Sequence, residues 1–167
     1  MVAVIQVACL MLFAVLLVGA AVQDLSTMRI ANRFPLAIVT LFAISSSAGV
    51  VSGRLPVSSV AMAVACTVPV FAVGVAAFAA GALGGGDVKL LAAASLFAGV
   101  TRIFDFLAIT AVVGGVLGIA VLAGMPVGQA AVADGGATPR SRLPGVVPYG
   151  PAIAAGGLWV AASIGLN

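Results

Sequence analysis

The chain has 167 residues, of which 63% are hydrophobic and 7% charged, and its mean hydropathy is +1.34. A water-soluble domain of this length cannot bury so much apolar surface, so the composition indicates a protein of the lipid bilayer. The net charge of +3 comes from scattered Lys and Arg residues that form no patch for nucleic acid, and the absence of His and Glu excludes a His-based metal site and a Ser-His-Asp triad.

Hydropathy predicts an all-α fold with about six transmembrane helices, in a single domain over residues 1–167. The predicted spans are about 2–22, 34–51, 57–80, 88–101, 103–122 and 149–166. The first has no basic region before it and is interpreted as a retained span rather than a signal peptide. A tight turn is expected at Arg102, and a long flexible connection over 123–147. Cys9 and Cys66 lie in apolar runs and are interpreted as small hydrophobic residues.

The basic residues predict the orientation in the membrane, because cytoplasmic connections carry an excess of Lys and Arg. If the first, third and fifth connections face the cytoplasm, that side holds Arg29, Arg33, Lys89, Arg140 and Arg142. The opposite side then holds only Arg54 and Arg102. This distribution predicts that both termini lie outside and that the connections after the first span and before the fourth face the cytoplasm.

The acidic residues are Asp24, Asp87, Asp105 and Asp134. Asp24 is predicted at the end of the first span and Asp87 at the start of the fourth. Each also has a purely structural interpretation: Asp24 marks where a helix leaves the lipid, and Asp87 is the N-cap of its helix, a position that Asp favours. Two carboxyl groups at one membrane face are what an aspartic peptidase needs. One, ionised, takes a proton from water, while the other, protonated, polarises the scissile carbonyl. This chemistry requires no metal and no cofactor.

The other two acids fit this role less well. Asp105 follows Arg102 at helical spacing for an ion pair and is predicted at the opposite face of the membrane. Asp134 lies in the long fifth connection.

Three segments resemble the type IV prepilin peptidases, membrane aspartic peptidases with a GxGD motif. They are QDLSTMRIANRF at 23–34, GGGDVKLLAA at 84–93 and VPYGPAIAAGGL at 147–158. Ala31 stands where that family usually has Pro. The resemblance implies that Asp24 and Asp87 are catalytic in a bacterial inner-membrane enzyme. It also implies a substrate: the short basic leader of prepilin-like proteins, removed at the cytoplasmic face.

The chain has no counterpart of the cytoplasmic insert with paired Cys-x-x-Cys motifs that the long family members carry. It therefore resembles the short form that accompanies tight-adherence (Flp-type) pili. In the long form the same protein also methylates the new N-terminus of the product. The missing insert implies that this chain cleaves without N-methyltransferase activity.

Other residues are candidates for supporting the site. Gly84, Gly85 and Gly86 form the glycine segment expected to support Asp87. Lys89 either attracts an acidic group of the substrate or a lipid phosphate, or only marks the cytoplasmic interface.

Two further residues have alternative interpretations. Asn32 either forms hydrogen bonds near the site or caps the second span. Tyr149 either lines a substrate groove or sets the start of the last helix.

Three alternative functions are compatible with the composition. A presenilin-like or signal-peptide-peptidase-like intramembrane protease shares GxGD, but it carries Tyr-Asp in its first motif and is longer, whereas Gln23 precedes Asp24 here. A small proton-coupled transporter would distribute polar groups through the membrane depth. A structural membrane subunit would not need either aspartate.

Overall fold

The computed structural model describes residues 2–125 and 147–166, and within these ranges all regular secondary structure is α-helical. The elements are α1 (Val2–Thr27), α2 (Arg33–Val51), α3 (Val57–Ala79), α4 (Gly85–Leu122) and α5 (Gly150–Gly165). This architecture confirms the predicted all-α class. Most of the predicted fifth connection, with Asp134, Arg140 and Arg142, lies outside the described residues.

Four of the helices, α1 to α4, are long and apolar enough to cross a membrane, and α5 is a shorter apolar helix of 16 residues. Large hydrophobic side chains cover their outward faces, for example Val15 at 66% exposure and Val73 at 70%. An outward apolar surface of this extent suits contact with lipid chains rather than with water. The chain is thus a polytopic membrane protein, and the count of six crossings stays a prediction.

The interior is organised around α4, which packs against α2, α3 and α5, while α1 packs against α2 and α5. The contacts are made by large side chains that are completely shielded: Phe13 and Leu17 of α1, Ile38 of α2, and Leu90 and Phe106 of α4. The predicted first span is therefore an integral part of the packed interior.

Helix α4 is interrupted at Gly99, whose backbone angles are φ 55° and ψ −166°. Only glycine adopts this conformation without strain, because other residues carry a Cβ that clashes with the backbone. The sequence placed the turn at Arg102, and this was wrong. The break falls three residues earlier, at the residue whose backbone permits it.

Contacts with α5 show that the chain reverses direction at this break. Arg102, just after the break, donates a hydrogen bond to the Ser163 carbonyl near the end of α5, at 3.3 Å. Gly114, further along, lies against the Tyr149 ring at the start of α5, where an added Cβ would be 3.2 Å from the ring. Segment 100–122 therefore runs antiparallel to α5 and returns to the end of the molecule where α4 began.

The ion pair expected between Arg102 and Asp105 is not formed. The Arg102 guanidinium hydrogen-bonds the Thr101 hydroxyl and the Ser163 carbonyl, and Asp105 is exposed. No salt bridge joins the two side chains within the described residues. Because α5 packs beside Arg102, the guanidinium donates to a carbonyl of α5. The spacing of Arg102 and Asp105 within one helix could not predict this contact.

Gly99→Ala should destabilise the protein by about 1–3 kcal/mol, the usual cost of a residue held in such a conformation. Gly118→Ala is the matched control, because an added Cβ meets no atom within 4 Å at either position, and only Gly99 has a positive φ. Thermal unfolding in detergent, followed by loss of the monodisperse species, measures the difference. Equal unfolding midpoints for the two variants would contradict the assigned break.

Candidate functional site

Asp24 lies inside the last turn of α1, which extends to Thr27 rather than ending at 22 as predicted. The Ser26 and Thr27 hydroxyls donate to the Gln23 carbonyl at 3.0 Å and 2.8 Å, in addition to the backbone hydrogen bonds of this last turn. The Asp24 side chain is only 4% exposed. Its Oδ2 accepts a hydrogen bond of 2.8 Å from the backbone N–H of Gly150, the first residue of α5.

Asp87 is the third residue of α4, because the helix begins at Gly85 and Gly84 is its N-cap. The alternative interpretation of Asp87 as the N-cap is therefore wrong. Its Oδ2 instead reaches back and accepts a hydrogen bond of 3.1 Å from the Gly84 backbone N–H. This is the acidic half of a capping box, which satisfies a free N–H at the start of a helix.

The second carboxylate oxygen of Asp87, Oδ1, is buried and has no hydrogen-bond partner among the described residues. The Asp87 side chain as a whole is 8% exposed. A buried carboxylate oxygen ordinarily has a donor, since leaving it without one costs free energy. This oxygen is therefore available to a water molecule or to a substrate group.

Asp24 lies in the last turn of α1 and Asp87 in the first turn of α4, at the same end of the molecule. They are the only buried acids in the described part of the chain. The turn that follows Asp24 packs against Gly86, the residue before Asp87. An added Cβ on Gly86 would lie 3.0 Å from the carbonyl oxygen of Ile30 in this turn. Because two like charges held close do not both ionise, the pair can present one ionised and one protonated carboxyl group.

Other predicted site residues lie at the same end of the molecule but do not hydrogen-bond the carboxyl groups. Lys89 Nζ donates to Asn32 Oδ1 at 3.0 Å, and both side chains are exposed. Asn32 is the N-cap residue of α2, but its side chain makes no capping hydrogen bond.

Tyr149 is the N-cap residue of α5 and packs its ring against Gly114. Gly85 is the first helical residue of α4, and an added Cβ there would lie 3.5 Å from the Phe78 ring, an ordinary van der Waals distance.

Gly150 donates its backbone N–H to Asp24, and sequence reasoning did not predict this contact. An added Cβ on Gly150 would lie 2.7 Å from the Cβ of Asp24, so α5 and α1 approach closely only because Gly stands there. The PYGP run at 148–151 pointed to this region without naming the contact. The donor and the acceptor are 126 residues apart, a separation that no local pattern connects.

The potential metal ligands do not cluster. Within residues 2–125 and 147–166 no three His, Cys, Asp or Glu side chains converge. Cys9 and Cys66 are free thiols, the first buried and the second half-buried, as expected for residues within apolar helices.

The fold and the site define a class: a helical membrane protein in which the buried acids of the described residues lie at one end of the helices. Comparison with protein families matches residues 11–119 to the type IV leader peptidase family, and the chain belongs to that family. Both aspartates lie within the matched region, whereas Gly150 lies beyond it. Comparisons with curated proteins and with solved structures gave no match.

Gly84→Ala and Gly150→Ala should each lower peptidase activity by roughly 10²-fold, because a displacement near 1 Å at a reacting group costs about that much. An added Cβ would lie 2.7 Å from Asp87 Oδ2 in the first variant and 2.7 Å from Asp24 Cβ in the second. Gly85→Ala is the control, since its Cβ would meet only Phe78, at 3.5 Å. Activity per folded protein is measured in proteoliposomes. Near-normal rates for both site variants would show that these backbone contacts do not position the acids.

Proposed function

We propose that this protein is an aspartic endopeptidase that removes the leader peptide from prepilin-like proteins at the cytoplasmic face of the bacterial inner membrane. The observation that carries the proposal is that two buried acids, Asp24 and Asp87, lie at one end of a chain of the leader peptidase family, each held by a backbone N–H at the start of a helix. Buried acids in membrane proteins are costly and usually functional.

The reaction follows from the chemistry of the pair. The ionised carboxylate accepts a proton from water, and the resulting hydroxide oxygen attacks the carbonyl carbon of the scissile peptide bond. The protonated partner donates to the carbonyl oxygen, forming a tetrahedral intermediate. As the intermediate collapses, the C–N bond breaks and the leaving nitrogen takes the proton that the first carboxyl group removed from water. One hydroxyl of the intermediate returns its proton to the partner carboxylate as the carbonyl re-forms, so the product is a carboxylic acid and the pair regains its starting protonation state.

The hydrogen bonds of the pair suit these roles. In each aspartate the Oδ2 atom is held by a backbone N–H, from Gly150 for Asp24 and from Gly84 for Asp87. Backbone donors at helix starts do not titrate and scarcely move, so they keep the carboxyl groups oriented through the cycle. Asp87 Oδ1, which has no partner among the described residues, is the atom we assign to contact with the water or the peptide.

The proposed orientation is supported by the arrangement of the helix ends. At the end opposite the aspartates, an added Cβ on Gly165 would lie 3.7 Å from Leu10, and one on Gly49 would lie 3.3 Å from the Gln6 amide. The start of α1 and the end of α5 therefore share one side of the molecule. Arg29 and Arg33 follow Asp24 on the other side, which the excess of basic residues favours as cytoplasmic.

The alternative functions are less well supported. Membership of the leader peptidase family favours cleavage of a leader over presenilin-like intramembrane proteolysis. The buried carboxyl groups of the described residues meet at one end of the helices, whereas a proton-coupled transporter needs polar groups along the membrane depth.

Asp24→Asn and Asp87→Asn should each reduce leader removal by roughly 10²- to 10⁴-fold, the usual contribution of a general acid or base. Asp105→Asn is the control, because Asp105 is exposed and lies six residues after the break at Gly99. Coexpression with a prepilin-like substrate, scored by the loss of mass of the leader, measures the effect. A dyad variant that inserted normally and cleaved at the wild-type rate would refute the aspartic mechanism.

The second expectation is that the mature product has an unmodified N-terminus, because the chain lacks the Cys-x-x-Cys insert of the long family members. Mass spectrometry of substrate matured in cells that express only this peptidase checks the N-terminal residue. A methyl group added by the purified peptidase, supplied with a methyl donor, to the N-terminus of substrate that is already cleaved would overturn this expectation.

A further inference from the structure

We propose that Gln23 is a positioning residue of the candidate site, because its side chain fixes the turn that follows Asp24 and packs against α4. This turn comprises residues 28–32, between the end of α1 and the start of α2. We call it the α1–α2 turn. The proposal rests on the proposed peptidase function and adds to it a residue that acts through Asp24 and Asp87 rather than on the substrate.

Gln23 directly precedes Asp24 and closes the α1–α2 turn with its side chain. Its Oε1 atom accepts a hydrogen bond of 3.1 Å from the backbone N–H of Ala31, near the far end of the turn. The contact is partly buried, and a backbone N–H shielded from water needs an acceptor. The Gln23 side chain therefore ties the last turn of α1 to the residue that precedes Asn32, the N-cap of α2.

The α1–α2 turn has a conformation that needs such a restraint. Met28 has a φ of 52°, in the left-handed region that a residue with a side chain adopts only at a cost in free energy. The Thr27 hydroxyl lies 2.8 Å from the Gln23 carbonyl oxygen and 3.0 Å from the Arg29 carbonyl oxygen. These contacts hold the first half of the turn, and the Gln23 side chain holds its second half.

The other side of the α1–α2 turn contacts the start of α4. An added Cβ on Gly86 would lie 3.1 Å from the Cβ of Ile30, so the turn packs on the residue that precedes Asp87. Asn32 accepts a hydrogen bond of 3.0 Å from Lys89, two residues after Asp87. The turn is therefore attached to α4 both before and after Asp87 in the sequence.

Helices α1 and α4 depend on other elements for their relative position near the aspartates. Within the described residues their backbones make at most marginal contact. The Phe13 and Phe97 rings stack with centroids 4.3 Å apart, but Phe13 lies 11 residues before Asp24, or about 16.5 Å along the helix axis. At the aspartate end the connections are α5, whose Gly150 N–H binds Asp24, and the α1–α2 turn. Loosening the turn should therefore let the two carboxyl groups shift relative to each other.

Amide hydrogen exchange tests the contact itself. Gln23→Met removes the acceptor and keeps the side-chain length, so exchange over residues 28–32 should become roughly three- to tenfold faster, as expected for the loss of one hydrogen bond. Gln23→Glu keeps an acceptor oxygen and should retain the wild-type exchange. Gln6→Met is the matched control, because Gln6 is also half-buried but lies at the opposite end of α1. Unchanged exchange in Gln23→Met would overturn the proposal.

The steady-state constants of leader cleavage test the positioning role. Gln23→Met should lower kcat about 10- to 100-fold, because a shift near 1 Å at a reacting group costs about 10²-fold, and should change KM by less than about twofold. Gln6→Met should match the wild type in both constants. A raised KM with unchanged kcat, or a kcat equal to that of the control, would overturn the positioning role. If Gln23→Met inserts poorly, Gln23→Asn replaces it, because it keeps the amide but is one methylene too short to reach Ala31.

A double-mutant cycle tests whether Gln23 acts through Ala31. Ala31→Pro removes the donor of the hydrogen bond, because proline has no backbone N–H. In the Ala31→Pro enzyme, Gln23→Met should change kcat by less than about twofold, since the hydrogen bond is already lost. An equal 10- to 100-fold loss with and without Ala31→Pro would show that Gln23 acts by another route and would overturn the proposal.

The wild-type enzyme is first shown to remove the leader from the same substrate. If it does and Gln23→Met cleaves as fast as Gln6→Met, the positioning role is wrong while the proposed function stands. If it cleaves no leader substrate, the proposed function itself fails, and the exchange measurement still decides whether Gln23 holds the α1–α2 turn.

Discussion

Carboxyl groups buried in an apolar helical molecule carry a large desolvation cost, and the end of the protein that holds Asp24 and Asp87 is organised around this constraint. Each side chain is compensated by a backbone N–H at the start of a helix, α5 for Asp24 and α4 for Asp87. Those N–H groups are themselves unpaired at helix starts, so each contact satisfies a donor and an acceptor together. Among the described residues, no other polar side chain hydrogen-bonds either carboxyl group.

This arrangement imposes conditions on the rest of the fold. Three helix ends must meet at one side of the membrane, and α4 is too long to do this as a straight helix, since its 38 residues would extend about 57 Å. The hydrocarbon layer is only about 30 Å thick. The break at Gly99 returns the second half of α4 to the side of the aspartates, where Gly114 supports the Tyr149 ring immediately before Gly150.

Close approach of backbone explains why small residues are concentrated around the site. Gly84, Gly86 and Gly150 each stand where a side chain would collide with Asp87, Ile30 or Asp24.

Composition and hydropathy by themselves determined the all-α membrane class, the approximate spans of α2 and α3, and the two aspartates as the acids at span ends, because these depend only on local apolar length. Local patterns also suggested the family, through the runs around both residues. Tertiary structure decided that Asp24 lies inside α1, that Asp87 is the third residue of its helix, and that the turn falls at Gly99. It alone connected Asp24 to Gly150 and Lys89 to Asn32. The physical reason is that a hydrogen bond depends on distances of about 3 Å between helices remote in sequence, which helix packing sets and periodicity does not encode.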